Sequence, residues 1–176
     1  MLKKLFGLDK KEKKQEVEMP EADGKDVFHS PANGEVVALS EVPDPTFAEK
    51  MMGDGVAVKP SDGTIVAPVH GEIMQLFPTK HAVGIKTVNG MEVLIHIGIE
   101  TVNMQGEGFK AFVEQGDKVA VGDKLIEFDP DLVNEKAEST ITPVIITNGD
   151  AVASMDKQEN QTATAGETVI MTVTSK

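Results

Sequence analysis

The residues best equipped for chemistry are two histidines, His81 and His96, each set in extended apolar sequence. Six of the seven residues from Val93 to Ile99 are apolar or glycine, and the seventh is His96. Such a run reads as a strand buried on both faces, or nearly so. An imidazole there is costly unless its ring nitrogens find partners. A backbone carbonyl would satisfy it and leave an ordinary core histidine. The alternative is chemical. A neutral imidazole nitrogen is a nucleophile near neutral pH, and two imidazoles that converge are harder to dismiss as core packing than one.

The element that must bring the two rings together is a hairpin. His81–Val88 and the Val93–Ile99 run flank Asn89-Gly90, the strongest short-range hairpin signal. A two-residue turn places Val83 opposite His96 and Gly98 opposite His81. Alternation then puts His81, Val83 and His96 on one face, the imidazoles becoming diagonal neighbours with Cα atoms about 7 Å apart. Gly98 leaves room beside them, and Thr79 falls on the same side to orient His81 through its hydroxyl. A slip of one residue would separate the rings. His29 and His70 sit at a strand start and in a turn, where polar residues are ordinary.

Composition narrows the classes. The 176 residues suffice for one domain with a core and a short tail. Cysteine is absent, which removes disulfides, thiolate nucleophiles and Cys-based zinc sites. All 17 basic residues are lysines and the net charge is −12, so nucleic acid is excluded as a partner and basic protein surfaces are favoured. No apolar run reaches transmembrane length. Residues 1–14 differ, with six lysines against Asp9 and Glu12. On a helical wheel Met1, Leu2, Leu5, Phe6 and Leu8 share an arc opposite Lys3, Lys4, Lys10 and Lys11. This segment reads either as a weak, reversible anchor on anionic membrane or as a plain tail. An acidic linker completes residues 1–25, and residues 26–176 form the domain.

From Val27 the chain breaks into short strands punctuated by Gly, Pro and Asp. Ser30–Leu39 and Ala67–Leu76 repeat a proline-started strand, a glycine turn and a second strand at an offset of 37. A single pair of copies favours a pseudo-symmetric β-fold over a solenoid. Asp131–Ala137, entered through Pro130, predicts a short helix, and Asp44–Gly55 predicts a loop with one helical turn. Phe47, Met51 and Met52 in that loop either cover a core edge or stand exposed as a contact surface. The expected fold is all-β, an antiparallel β-sandwich or roll with internal duplication and a few helical turns.

The chain resembles the glucose-type enzyme IIA family of the bacterial phosphoenolpyruvate-dependent sugar phosphotransferase system. The resemblance runs from Val27 to the C-terminus. It is carried by Ser40–Asp44, Met52–Val58, Ala67–Val69, Thr79-Lys80-His81-Ala82, His96-Ile97-Gly98-Ile99-Glu100-Thr101-Val102 and Gly106–Phe109. It implies a β-sandwich built from a duplicated hybrid motif, working in the cytoplasm or at the inner face of the membrane. His96 would be phosphorylated on Nε2 by the histidine phosphocarrier protein and would pass the group to a cysteine of enzyme IIB in a sugar transporter. His81 would support the phosphoryl group and onward transfer, with Thr79 hydrogen-bonded to it. No cofactor is required. The unphosphorylated form would regulate other permeases or glycerol kinase, where His81 and His96 could hold zinc together with a partner carboxylate. Asp44 and Glu100 are candidate acidic contacts, Glu100 standing where many members carry aspartate. Phe47, Met51, Met52, Val83 and Val102 are expected to form an apolar rim that excludes water and docks partners.

Two other classes fit less well. A zinc hydrolase needs a third protein ligand, and Gly98 stands where a His-x-His pair would place its second histidine. Gly116-Asp117-Lys118 and Gly122-Asp123-Lys124 resemble the turns of lipoyl and biotinyl carriers, but the Asn89-Gly90-Met91 tip has no attachment lysine.

Overall fold

The computed structural model describes residues 17–176, so the basic segment of residues 1–14 lies outside the described residues. Residues 17–24 carry no regular element apart from a bend, and the strands begin at Lys25.

Eight strands make one antiparallel sheet. Their order is β13 (Gln161–Ala163), β2 (Gly34–Ala38), β3 (Asp54–Pro60), β11 (Thr142–Ile146), β7 (Glu92–His96), β6 (Ala82–Thr87), β5 (Gly71–Leu76) and β9 (Lys118–Val119). Two three-stranded sheets complete the fold: β1 (Lys25–His29), β14 (Val169–Ser175) and β12 (Val152–Lys157), and β4 (Thr64–Val66), β10 (Lys124–Phe128) and β8 (Phe109–Ala111). This is the expected all-β architecture.

The duplication reaches beyond the offset-37 copies. Glu35 pairs with Lys59 and Thr162, while Glu72 pairs with Lys86 and Lys118. The backbone bonds between the copies are reciprocal. His29 N–H donates to Pro68 O at 2.7 Å, and Val66 N–H, 37 residues after His29, donates to Pro31 O at 2.8 Å. A pseudo-twofold axis therefore passes between β7 and β11, where Ile95 lies opposite Val144.

Alternation along the central strands separates two apolar layers. Val83, Ile85, Val93 and Ile95 point into the larger core with Phe28, Ile126 and Val173. Ala82, Leu94 and Ile145 point the other way, against Leu39, Val42 and Phe47. That second layer is roofed by a 3-10 turn (Leu39–Glu41) and by helix α1 (Pro45–Ala48), a single turn begun by Pro45 and capped where Asp44 accepts from Thr46 N–H at 2.9 Å. Helix α2 (Pro130–Lys136) starts in the same way at Asp129. No helix among the described residues is long and apolar enough to cross a membrane.

The hairpin that carries the histidines departs from the expected register. Ala82, not Val83, lies opposite His96, and Lys86 lies opposite Glu92. The loop holds three residues, closed by Thr87 N–H donating to Met91 O at 2.8 Å, with Gly90 at φ +88°. Both two-residue hairpin turns, types I′ and II′, need positive φ at the first central residue, and Asn89 does not adopt it. Asn89 is held elsewhere. Its amide donates to Asp26 Oδ1 and Lys25 O and accepts from Gly24 N–H, tying the hairpin tip to β1.

Candidate active site

In this register strict alternation would put the two histidines on opposite faces. They meet nevertheless, because His81 lies outside β6. Lys80 adopts a left-handed conformation (φ 60°), and the chain bends through His81 before the ladder begins. The His81 carbonyl still accepts from Ile97 N–H at 2.7 Å, but its side chain is free of the pleat. The ring centroids of His81 and His96 stand 5.0 Å apart, edge to face.

Each ring is fixed by a hydrogen bond and an aromatic neighbour. His96 Nδ1 lies 2.7 Å from the Gly98 carbonyl, and the Phe47 ring packs 5.0 Å from the imidazole. A carbonyl can only accept, so Nδ1 carries the proton and Nε2 keeps its lone pair. His81 Nδ1 lies 2.5 Å from Thr79 Oγ1, and Phe77 meets its ring edge-on at 5.5 Å. His81 is 4% exposed and His96 half-buried. Burial, with His96 beside it as the lesser cause, lowers the His81 pKa from 6.5 to about 4. Burial also lowers His96, although the Gly98 carbonyl and the negative charge of Asp44 pull upward. Both imidazoles are therefore neutral at pH 7.

The turn after β7 presents the Gly98 carbonyl. Gly98 has φ +74°, and a Cβ there would stand 2.7 Å from Ser139 O and from the Thr101 methyl. Its lack of a side chain serves this packing rather than room for the imidazoles. Ile99 N–H donates to Ser139 O at 2.9 Å, and the buried Thr101 hydroxyl donates to Ile97 O at 2.6 Å, closing the turn. Phe77 was not singled out from sequence, and Thr101 entered only as part of the His96–Val102 motif, with no structural role assigned. Their neighbours Val102 and Thr79 drew attention, but a buried hydroxyl closing a turn has no periodic signature.

The expected rim divides in two. Met51 (71% exposed), Met52 (42%) and Val102 (49%) stand in solvent, while Val83 belongs to the larger core and Phe47 is only 3% exposed. Val83 is inward because the register differs by one residue. Phe47 supports His96 from beneath instead of offering surface. Asp44 is half-buried at the start of α1, and Glu100 is exposed in a left-handed conformation (φ 63°). Among the described residues, three of the five exposed large apolar side chains thus lie on the two segments that flank His96. Among the described residues no group of three or more His, Asp or Glu could hold a metal ion.

Residues 26–152 match the family described as the phosphoenolpyruvate-dependent sugar phosphotransferase system, EIIA 1. The chain belongs to that family. Relatives named PTS system glucose-specific EIIA component match along nearly the whole chain. That of Halalkalibacterium halodurans is 59% identical over 98% of each chain, and that of Bacillus anthracis is 53% identical over the whole of both. Among solved structures, the glucose permease IIA of Mycoplasma capricolum superposes with a TM-score of 0.77 at 38% identity, covering 84% of this chain and 95% of that one. Membership in the EIIA family places the chain in phosphoryl transfer, as a phosphocarrier component of this system.

Proposed function

We propose that this EIIA protein takes a phosphoryl group on His96 Nε2 from the histidine phosphocarrier protein and passes it to the enzyme IIB cysteine of a glucose-type sugar transporter. The observation that carries this reading is the bond between His96 Nδ1 and the Gly98 carbonyl, which leaves Nε2 as the one nucleophilic nitrogen of the ring. In the first step the Nε2 lone pair attacks phosphorus, an N–P bond forms, and the N–P bond to the donor imidazole breaks. The proton stays on Nδ1, and the Gly98 carbonyl offsets the positive charge that grows on the ring. In the second step the cysteine sulfur attacks phosphorus and His96 leaves as neutral imidazole. Positioning and charge neutralisation do most of the work in such transfers.

His81 acts beside it. With Thr79 donating to Nδ1, His81 carries its proton on Nε2 and turns a donor toward the phosphoryl oxygens. Met51, Met52 and Val102 form the docking surface, with Asp44 and Glu100 as acidic contacts for a basic partner. No bound cofactor enters the transfer. The unphosphorylated form would also bind other permeases or glycerol kinase, and in the glycerol kinase complex the two imidazoles would supply two ligands to zinc and the partner a carboxylate. Residues 1–14 would add a weak contact with anionic membrane.

The test is a relay from phosphoenolpyruvate through enzyme I and the phosphocarrier, using wild type, His96→Gln and His81→Gln. Wild type is expected to take an acid-labile, base-stable phosphate, and His96→Gln none. His81→Gln is expected to keep the label but lose about 10²-fold or more in onward transfer to sugar. Label on His96→Gln, or full sugar phosphorylation by His81→Gln, would overturn the assignment.

A further inference from the structure

We infer that Met51 and Met52 form an oxidative modification site for hydroperoxides, through which thioether oxidation weakens partner docking; this rests on the docking role proposed above. The chain has no cysteine, so methionine is its only oxidisable sulfur. Its nine methionines are not equivalent. Met91, Met104 and Met171 are buried in the larger core at 1%, 5% and 0% exposure, and Met19, Met74 and Met155 are half-buried. Met51 and Met52 alone among the described methionines are exposed, at 71% and 42%.

The local chain holds them outward. Met51 N–H donates to Thr46 O at 3.1 Å, which ties the residue to α1. Lys50 turns through a left-handed conformation (φ 59°), and Asp54, which opens β3, is held by Lys157 from β12 and by Lys50 at 3.7 Å. The pair is thus fixed between the helix that supports His96 through Phe47 and a strand of the sheet.

The chemistry is a two-electron oxygen transfer. The sulfur lone pair attacks the outer peroxide oxygen, the O–O bond breaks, the proton of the transferred hydroxyl passes to the leaving oxygen, and an S=O bond forms. The sulfur is oxidised, and the hydroperoxide is reduced to water or the parent alcohol. A flexible apolar side chain becomes a polar one. Docking would then bury a sulfoxide oxygen that no longer bonds water, and affinity falls.

The experiment treats the full chain with hydrogen peroxide, maps oxidation by peptide mass, and measures transfer from the phosphorylated phosphocarrier. Sulfoxide is expected at Met51 and Met52 well before Met91, Met104 and Met171. The KM for the phosphocarrier should rise about tenfold with kcat little changed. Methionine sulfoxide reductase should restore it. In the Met51→Leu/Met52→Leu variant the ratio of treated to untreated KM should stay near one, whatever its starting value. Equal oxidation of the buried methionines, or complete sulfoxide at both positions with KM unmoved, would overturn the proposal. Failure of untreated protein to accept phosphoryl would instead remove the transfer reading and the regulatory effect with it, while the oxidation map would still decide the site.

Discussion

Across the pseudo-twofold axis, His96 and Ile145 occupy equivalent points. Ala82 lies opposite His96, and Gly55, 27 residues before Ala82, lies opposite Ile145. Lys59 and Lys86 show the same offset of 27 in pairing with the two copies of the repeat. His81 in one half therefore corresponds to Asp54 in the other. Each central strand runs on to a 3-10 turn, Thr101–Met104 after β7 and Gly149–Ala151 after β11. The frame is shared, but the content is not. Ile145 is fully buried in the smaller apolar layer. Burial works against the charge of Asp54, yet the Lys157 ammonium, the Gly55 amide and Lys50 hold its carboxyl below the usual range. One half spends its strand ends on packing and an ion pair. The other places two neutral imidazoles at the same points and gives each a hydrogen bond that fixes its orientation. In the function proposed above, chemistry comes from what stands at two positions of a duplicated sheet, not from the sheet itself.

Three substitutions or conditions sharpen that contrast. The largest effect belongs to the silent half: Ile145→Ala should cost about 2–5 kcal/mol in urea unfolding, because a buried side chain leaves a cavity. Its phosphoryl label should still appear on His96. Loss of labelling in the folded variant would mean that the halves are not functionally distinct.

Acid should then weaken the histidine half. The unfolded chain binds protons on imidazoles near 6.5, whereas folded His81 stays neutral until about pH 4. The unfolded state thus holds more protons between these values, and stability must fall as pH drops from 6.5 toward 4. The contribution is complete above 6.5. Urea midpoints across this window should fall for wild type and fall less for His81→Gln. Parallel slopes would contradict the burial of a neutral His81.

The smallest effect is that of Thr101→Val, which removes the hydroxyl that closes the turn presenting Gly98. Labelling should persist but slow on the order of tenfold, with a shifted His96 titration in ring-proton spectra. An unchanged titration would reduce Thr101 to a packing residue.

The sequence exposed the frame better than the contact. The offset-37 copies and the short turn-bounded strands made the duplicated all-β fold legible, and α2 begins within one residue of the expected position. Asn89-Gly90 located the hairpin but not its register. The Asn89 side chain is engaged with β1, 63 residues earlier at Asp26, and no local pattern reveals that. The proximity of His81 and His96 was expected from alternation, yet it arises from a bend at Lys80 and His81 that escapes alternation. Val83 lies in the core because the hairpin register differs by one residue. Phe47 was legible as apolar and near the site, while its place beneath the ring depends on how α1 roofs the smaller layer.

The central claim is that the Gly98 carbonyl chooses the reactive nitrogen. Its most direct test is the regiochemistry of phosphorylation, read from nitrogen-edited proton spectra of labelled protein after phosphorylation by the relay. The phosphoryl group should sit on Nε2 of His96, with Nδ1 still protonated and its proton shifted by the bond to Gly98 O. A phosphoryl group on Nδ1, or on any residue other than His96, would contradict the account.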